Sequence, residues 1–186
     1  MKNKDNNVII MAGSLGAGKT TAAKYVSKKY GFQHLSFVEE IWKPILNARK
    51  QEINRENLQK LGIELMEKIG PRKIVEDLLK KALPNKTILI DDVRRKEVVE
   101  IIKQHCSNVF LIYIEADFST RYPRLVERDK IKNEEEQLKA EKVETELTIP
   151  ELKLIADYII NNNENINSFY LNIDNVINNI EKHHAS

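Results

Sequence analysis

One eight-residue stretch constrains this chain more than any other: Gly13-Ser14-Leu15-Gly16-Ala17-Gly18-Lys19-Thr20. It satisfies G-x-x-x-x-G-K-[ST] at every fixed position. It follows a short apolar run, residues 8–11, and precedes a helix-type stretch over residues 19–30 that Gly31 closes. Strand, glycine-rich turn, helix is the context in which this pattern cradles a polyphosphate. The glycines permit positive φ and bring backbone N–H groups close to an anion. The helix opening near Lys19 aims its positive dipole end at the same point. Lys19 is then the cation for the outer phosphates, and the Thr20 hydroxyl is a ligand for Mg²⁺. The candidate nucleotide contacts are Gly13, Ser14, Leu15, Gly16, Ala17, Gly18, Lys19, Thr20 and Thr21. The implied cofactors are ATP and Mg²⁺.

The rest of the chain alternates strand and helix patterns. Residues 32–37 predict a second strand and residues 39–50 a helix, with Pro44 near its start. Asn54 is the expected N-cap of a helix over residues 55–69. There Leu58, Leu61, Leu65 and Ile69 recur at spacings of three and four and should line one buried face. Gly70-Pro71 breaks that helix, residues 73–83 predict the next, and Pro84-Asn85 a turn. Residues 87–91 are apolar and β-branched, a buried strand. A helix over 96–105, a strand over 109–114 and a helix over 118–128, with Pro123 inside it, follow. Residues 129–142 are highly charged and carry little apolar content. Pro150 opens a short helix to residue 156, residues 158–160 are the last strand, and Ser168 is the expected cap of the final helix. The alternation predicts an α/β fold with a parallel sheet and helices on both faces.

Length and charge narrow the partners. The 186 residues suffice for one domain with its own core. Thirty basic residues against 28 acidic leave a net charge of +2. That balance gives no global field for duplex nucleic acid or an anionic membrane, so neither is an expected partner. The single cysteine, Cys106, excludes an internal disulfide and fits a reducing compartment. Residues 1–7 are polar, and the apolar run after them is too short for an export signal or a membrane span. A cytoplasmic protein, monomer or homodimer, is expected.

Two further clusters carry chemistry. The strand over 87–91 ends in Asp91-Asp92, and Arg94 and Arg95 follow at once. A carboxylate at the end of a buried strand beside a phosphate loop can hold Mg²⁺, directly or through water. The spacing leaves open which of Asp91 and Asp92 does so. Arg121, Arg124 and Arg128 fall at i, i+3 and i+7 and share a helix face. Guanidiniums there, followed by a charged segment, suit a lid that closes over phosphates. Trp42 suits either packing or stacking on an acceptor base. His34, His105 and Cys106 have no metal-ligand or nucleophile spacing and read as structural. His183 and His184 lie in a polar tail.

With these motifs in place, residues 8–180 resemble the small P-loop nucleotide kinases, most of all the phage-type deoxynucleoside monophosphate kinases. Dephospho-CoA kinases and adenylate kinases are relatives. Asp92-Val93-Arg94, with Glu97 soon after, resembles a "DVR…E" segment. Glu144-Thr145-Glu146, followed by Ala156-Asp157-Tyr158-Ile159-Ile160-Asn161-Asn162, resembles a closing segment whose strand ends near the donor base. The resemblance implies a five-stranded sheet of order 2-3-1-4-5. It also implies Arg94 on the acceptor phosphate, Arg124 and Arg128 as lid arginines, and Asn161 beside the donor nucleoside. The chain departs from adenylate kinases at Trp42, which stands where they carry an acceptor arginine. It also lacks the aspartate pair that dephospho-CoA kinases carry after strand two.

The expectation is one kinase-like domain over residues 1–186, with acceptor-binding helices over about 38–83 and a lid over about 121–148. The expected acceptor is a small phosphorylated molecule, foremost a nucleoside or deoxynucleoside monophosphate. One alternative is dephospho-CoA, a hydroxyl acceptor that needs a carboxylate base, for which Glu39 is the candidate. A nucleotide-dependent switch with little kinase activity is the other.

Overall fold

The computed structural model describes residues 7–129 and 148–184. Its centre is a five-stranded sheet, with every pairing parallel. The strands are β1 (Asn7–Ala12), β2 (Gln33–Leu35), β3 (Ile88–Ile90), β4 (Asn108–Glu115) and β5 (Tyr158–Asn161). Their spatial order is β2-β3-β1-β4-β5, the order the resemblance implies. Central β1 pairs with β3 on one side and β4 on the other, so that Ile10 lies between Ile90 and Leu111.

Successive side chains of β1 enter opposite layers, because strand residues alternate across a sheet. Val8, Ile10 and Ala12 face α3 (Arg55–Lys68), α4 (Pro71–Leu79) and α5 (Lys96–His105), where Leu61, Leu65, Leu78 and Ile102 are buried. Ile9 and Met11 face α1 (Lys19–Tyr30) and the C-terminal helix Ile166–His184. On that last helix Phe169, Ile173, Ile177 and Ile180 recur at helical spacing and are buried against the sheet. Both faces are covered, which is why β1 reads as one apolar run.

Several boundaries differ from the sequence reading, each for a local reason. Residues 38–48 are helical without a break, as the sequence predicts, but not as one regular α-helix. A π-helical turn, Val38–Trp42, comes first, closed by the Lys43 N–H on the Val38 carbonyl, and α2 (Lys43–Ala48) follows. Pro44 sits in the first turn of α2 and has no N–H to return to the preceding turn. Asn54 does cap α3, its side chain accepting from the Asn57 N–H at 2.9 Å. Leu61 and Leu65 are buried, but Ile69 is 51% exposed, because it lies just past the end of α3. Helix α4 starts at Pro71 rather than residue 73, since proline is preorganised for a first helical position. Helix α6 (Phe118–Asp129) holds Pro123 within it. A short α7 (Ile149–Leu154) leads to β5, and α8 (Ile166–His184) ends the described chain. The cap of α8 is Asn165, not Ser168: its side-chain oxygen accepts from the N–H groups of Asn167 and Ser168, both at 3.0 Å. The lid core and the Glu144-Thr145-Glu146 segment lie outside the described residues.

Candidate nucleotide and acceptor site

The phosphate loop joins β1 to α1 at the carboxyl end of the sheet. Two of its glycines are required by their surroundings. At Gly13, φ is +147°, and a Cβ would fall 2.2 Å from the Ile114 carbonyl oxygen on β4. At Gly18, φ is +106°, and a Cβ would fall 2.5 Å from Asn162 Nδ2. Asn162 is buried at the end of β5 and donates to the Ala17 carbonyl at 2.8 Å. Lys19 Nζ turns back onto the loop and donates to the carbonyls of Gly13, at 2.6 Å, and Ser14, at 3.0 Å. Burial, and then the nearby Arg94 guanidinium, pull the Lys19 ammonium down to about 7. A polyphosphate in the loop would reverse that balance, because an adjacent anion favours the charged form.

The two aspartates after β3 face different neighbours. Asp91 is 7% exposed. It accepts a hydrogen bond from the Thr20 side chain and another from His34 Nε2 at 2.8 Å. Burial works against its ionisation, but His34, Thr20 and the Lys19 charge outweigh burial and hold the carboxyl below its ordinary range. The same bond raises the His34 imidazole, against the effect of burial. Asp92 is held by the segment just after β2. Its Oδ2 accepts from Ser36 Oγ at 2.7 Å and from the Val38 N–H at 3.0 Å. Burial, and then the Asp91 charge, push the Asp92 carboxyl up.

Thr20 and Asp91 form a pair of hard oxygen donors beside the phosphate loop, a donor set that suits Mg²⁺. Among the described residues, no group of three or more acidic, histidine or cysteine side chains is placed to hold a metal ion by itself. Asp92 fastens the segment after β2 through Oδ2 and also lines the cavity beside the loop, whereas Asp91 is the carboxylate bonded to Thr20.

Beside the loop lies a cavity of about 370 Å³. Phe37, Trp42, Leu58 and Met66 form an apolar wall, and Arg94 and Arg128 are among its charged lining. Trp42 is buried and stacks on Phe37 with ring centroids 5.9 Å apart, so it packs and lines the cavity at once. Gly62 on α3 faces the Trp42 ring and leaves room there.

The three arginines of α6 do not act as one face. Arg121 is buried and donates to the carbonyls of Ala116, at 3.0 Å, and Leu15, at 2.9 Å. It therefore braces the phosphate loop. Arg124 donates through Nη2 to the Asn162 carbonyl at 3.1 Å, which sets it beside the loop after β5. Burial lowers its guanidinium. Only Arg128 reaches the cavity lining. Leu15 packs against Leu125 and Tyr122 of α6, a second tie between loop and helix.

Thr20 and Thr21 open α1 and are exposed. Asn161 is exposed, and its side chain accepts from the Asn163 N–H at 3.0 Å. Its neighbour Asn162, which sequence reasoning missed, makes the contact with the phosphate loop. Three consecutive asparagines after an apolar strand were the signal, without a mark for which one turns inward. His34 was also missed, since its partner lies 57 positions away. Glu39 is exposed and pairs with Lys43, away from the cavity lining. Cys106 is buried, and burial raises its thiol. His105 bonds to the Ile101 carbonyl and Glu76, a structural role.

A phosphate loop closed by lysine and threonine, on a parallel sheet of order 2-3-1-4-5, defines the P-loop nucleotide kinase superfamily. The chain belongs to the AAA domain family, whose sequence pattern matches residues 9–148. It is 30% identical over 126 residues to a UPF0200 protein of Pyrobaculum aerophilum, covering 67% of each chain. It is 29% identical over 134 residues to adenylate kinase isoenzyme 1 of Cyprinus carpio, covering 68% of this chain and 66% of the carp enzyme. Its fold is similar to that of dephospho-CoA kinase from Campylobacter jejuni, with a TM-score of 0.58 at 19% identity, covering 99% and 100% of the two chains. No helix among the described residues is long and apolar enough to cross a membrane.

Proposed function

We propose that this chain transfers the γ-phosphoryl group of ATP, with Mg²⁺, to a small phosphorylated acceptor of the nucleoside or deoxynucleoside monophosphate class. The observation that carries this reading is the cavity beside the phosphate loop. Its aromatic and aliphatic wall suits a flat base, and its arginines suit a phosphate. A polyol acceptor would call for a more polar wall.

In this reading the chain's residues position charge rather than perform covalent chemistry. The loop amides and Lys19 hold the donor's outer phosphates. Thr20 and Asp91 hold Mg²⁺, which supplies neutralisation of charge on the phosphate oxygens. Arg94 binds the acceptor phosphate, and Arg128 approaches the group in transfer. Arg124, set against Asn162, belongs with the donor nucleoside. A phosphate oxygen is already a competent nucleophile, so no strong general base is required. The acceptor helices over about 38–83 and a lid over about 121–148 complete one kinase domain in a cytoplasmic protein.

Dephospho-CoA is the second acceptor to weigh, given the likeness of fold to a dephospho-CoA kinase. Its ribose hydroxyl calls for a carboxylate base; Glu39 lies outside the cavity lining, paired with Lys43, and the carboxylate in the lining, Asp92, is held through Oδ2 by Ser36 and Val38. An acceptor screen with ATP and Mg²⁺, using ribo- and deoxynucleoside monophosphates and dephospho-CoA, tests the proposal. Turnover with a monophosphate supports it. Turnover with dephospho-CoA alone, or none, rejects it.

A further inference from the structure

We propose that His34 is a positioning residue for the metal: it fixes the carboxylate of Asp91 in the orientation that Mg²⁺ bound with the nucleotide requires. The proposal rests on the reading of Thr20 and Asp91 as the metal position. It adds a residue from another strand, one with no place in the phosphate-loop motif.

The geometry is direct. Strand β2 pairs with β3 in parallel register, with His34 opposite Leu89 and Leu35 opposite Ile90. The His34 ring therefore reaches the residue just past the end of β3, and its Nε2 lies 2.8 Å from Asp91 Oδ1. An ionised carboxylate can only accept, so Nε2 carries the proton and donates. Asp91 then has two side-chain donors, His34 from β2 and Thr20 from α1. A carboxylate free to rotate would present its lone pairs to the metal only part of the time. One pinned at Oδ1 presents the remaining lone pairs in a set direction. Outer hydrogen-bond partners act on metal ligands in this way.

The same end of β2 grips the neighbouring aspartate. Ser36 Oγ and the Val38 N–H hold Asp92, two and four residues beyond His34. Phe37 and Val38 also line the acceptor cavity. One short edge strand thus sets the orientation of the metal carboxylate and the position of the acceptor wall together.

The test measures binding, not turnover. The affinity of a fluorescent ATP analogue is titrated with and without Mn²⁺ for the wild type, His34→Ala, His34→Asn and His34→Gln. Glutamine places an N–H where Nε2 stood, and asparagine falls short of it. Expected is a loss of about 10-fold in the metal-dependent part of the affinity for His34→Ala and His34→Asn. The metal-free affinity should not change, and His34→Gln should recover most of the loss. Equal metal dependence in all four proteins would overturn the proposal. So would an equal loss with and without metal, which marks a merely structural residue. If His34→Ala does not fold, the comparison of glutamine with asparagine decides alone. A wild type whose nucleotide affinity ignores Mn²⁺ rejects the metal reading itself, and the proposal with it. A wild type that responds while the variants match it rejects only His34.

Discussion

Arg121 Nη1 lies 2.9 Å from the carbonyl oxygen of Leu15, across 106 residues of sequence. The bond fastens the base of α6 to the apex of the phosphate loop, and a second bond, to the Ala116 carbonyl, fixes the guanidinium's direction. The arginine that looked like one of three lid cations is thereby a brace. Arg121→Ala should destabilise the fold by about 2 kcal/mol, because two acceptors lose a charged, buried donor. Arg121→Lys should recover only part of this, since an ammonium lacks the guanidinium's fork. Chemical denaturation measures both.

Lys19→Ala should lower kcat/KM by ~10²-fold or more while leaving the melting temperature close to that of the wild type. Its partners in the structure are loop carbonyls that water can satisfy. A near-normal rate would remove the electrostatic basis of the proposed mechanism.

The two aspartates should separate cleanly. Asp91→Asn should raise the Mg²⁺ concentration needed for half-maximal activity. Asp92→Asn should leave that requirement unchanged, because an amide oxygen can still accept from Ser36 and Val38. Steady-state kinetics across a magnesium titration distinguishes them, and a reversed pattern would reassign the metal carboxylate.

Gly62 offers a graded probe of the cavity. A Cβ there would lie 3.7 Å from the Trp42 indole nitrogen, ordinary contact, so Gly62→Ala should stabilise α3 by about 0.5–1 kcal/mol. Gly62→Val adds bulk on the same face and should raise the KM for the acceptor without raising that for ATP. Thermal melts and two-substrate kinetics check the pair.

Asp174 on α8 accepts from Lys29 at 2.7 Å and from the hydroxyls of Tyr25 and Tyr30 on α1. Burial opposes its ionisation, but these three donors outweigh burial and depress the carboxyl below its ordinary value. A depressed carboxyl contributes stability above the unfolded value, ~3.9, and loses it as pH falls through the folded value. Asp174→Asn should be less stable than the wild type at pH 7 and should flatten the acid limb of stability against pH. Urea melts from pH 7 downward test this.

Much of this was legible because short-range rules govern it. The phosphate loop, the Asn54 cap and the buried run of β1 each follow from residues adjacent in sequence. What was not legible depends on residues far apart. His34 looked solitary because its partner sits on another strand, and Arg121 looked like its helical neighbours because nothing local marks its target. Asn161 and Asn162 differ only in which side of β5 they face, and a run of three asparagines hides that. Ile69 kept the helical period but fell beyond the helix end, where the period no longer places a side chain.

The clasp of Asn162 on the Ala17 carbonyl spans 145 positions. During synthesis, Ala17 emerges 145 positions before the side chain that completes its seat. A nascent chain halted before residue 162 should therefore carry the whole nucleotide signature and still fail to retain ATP.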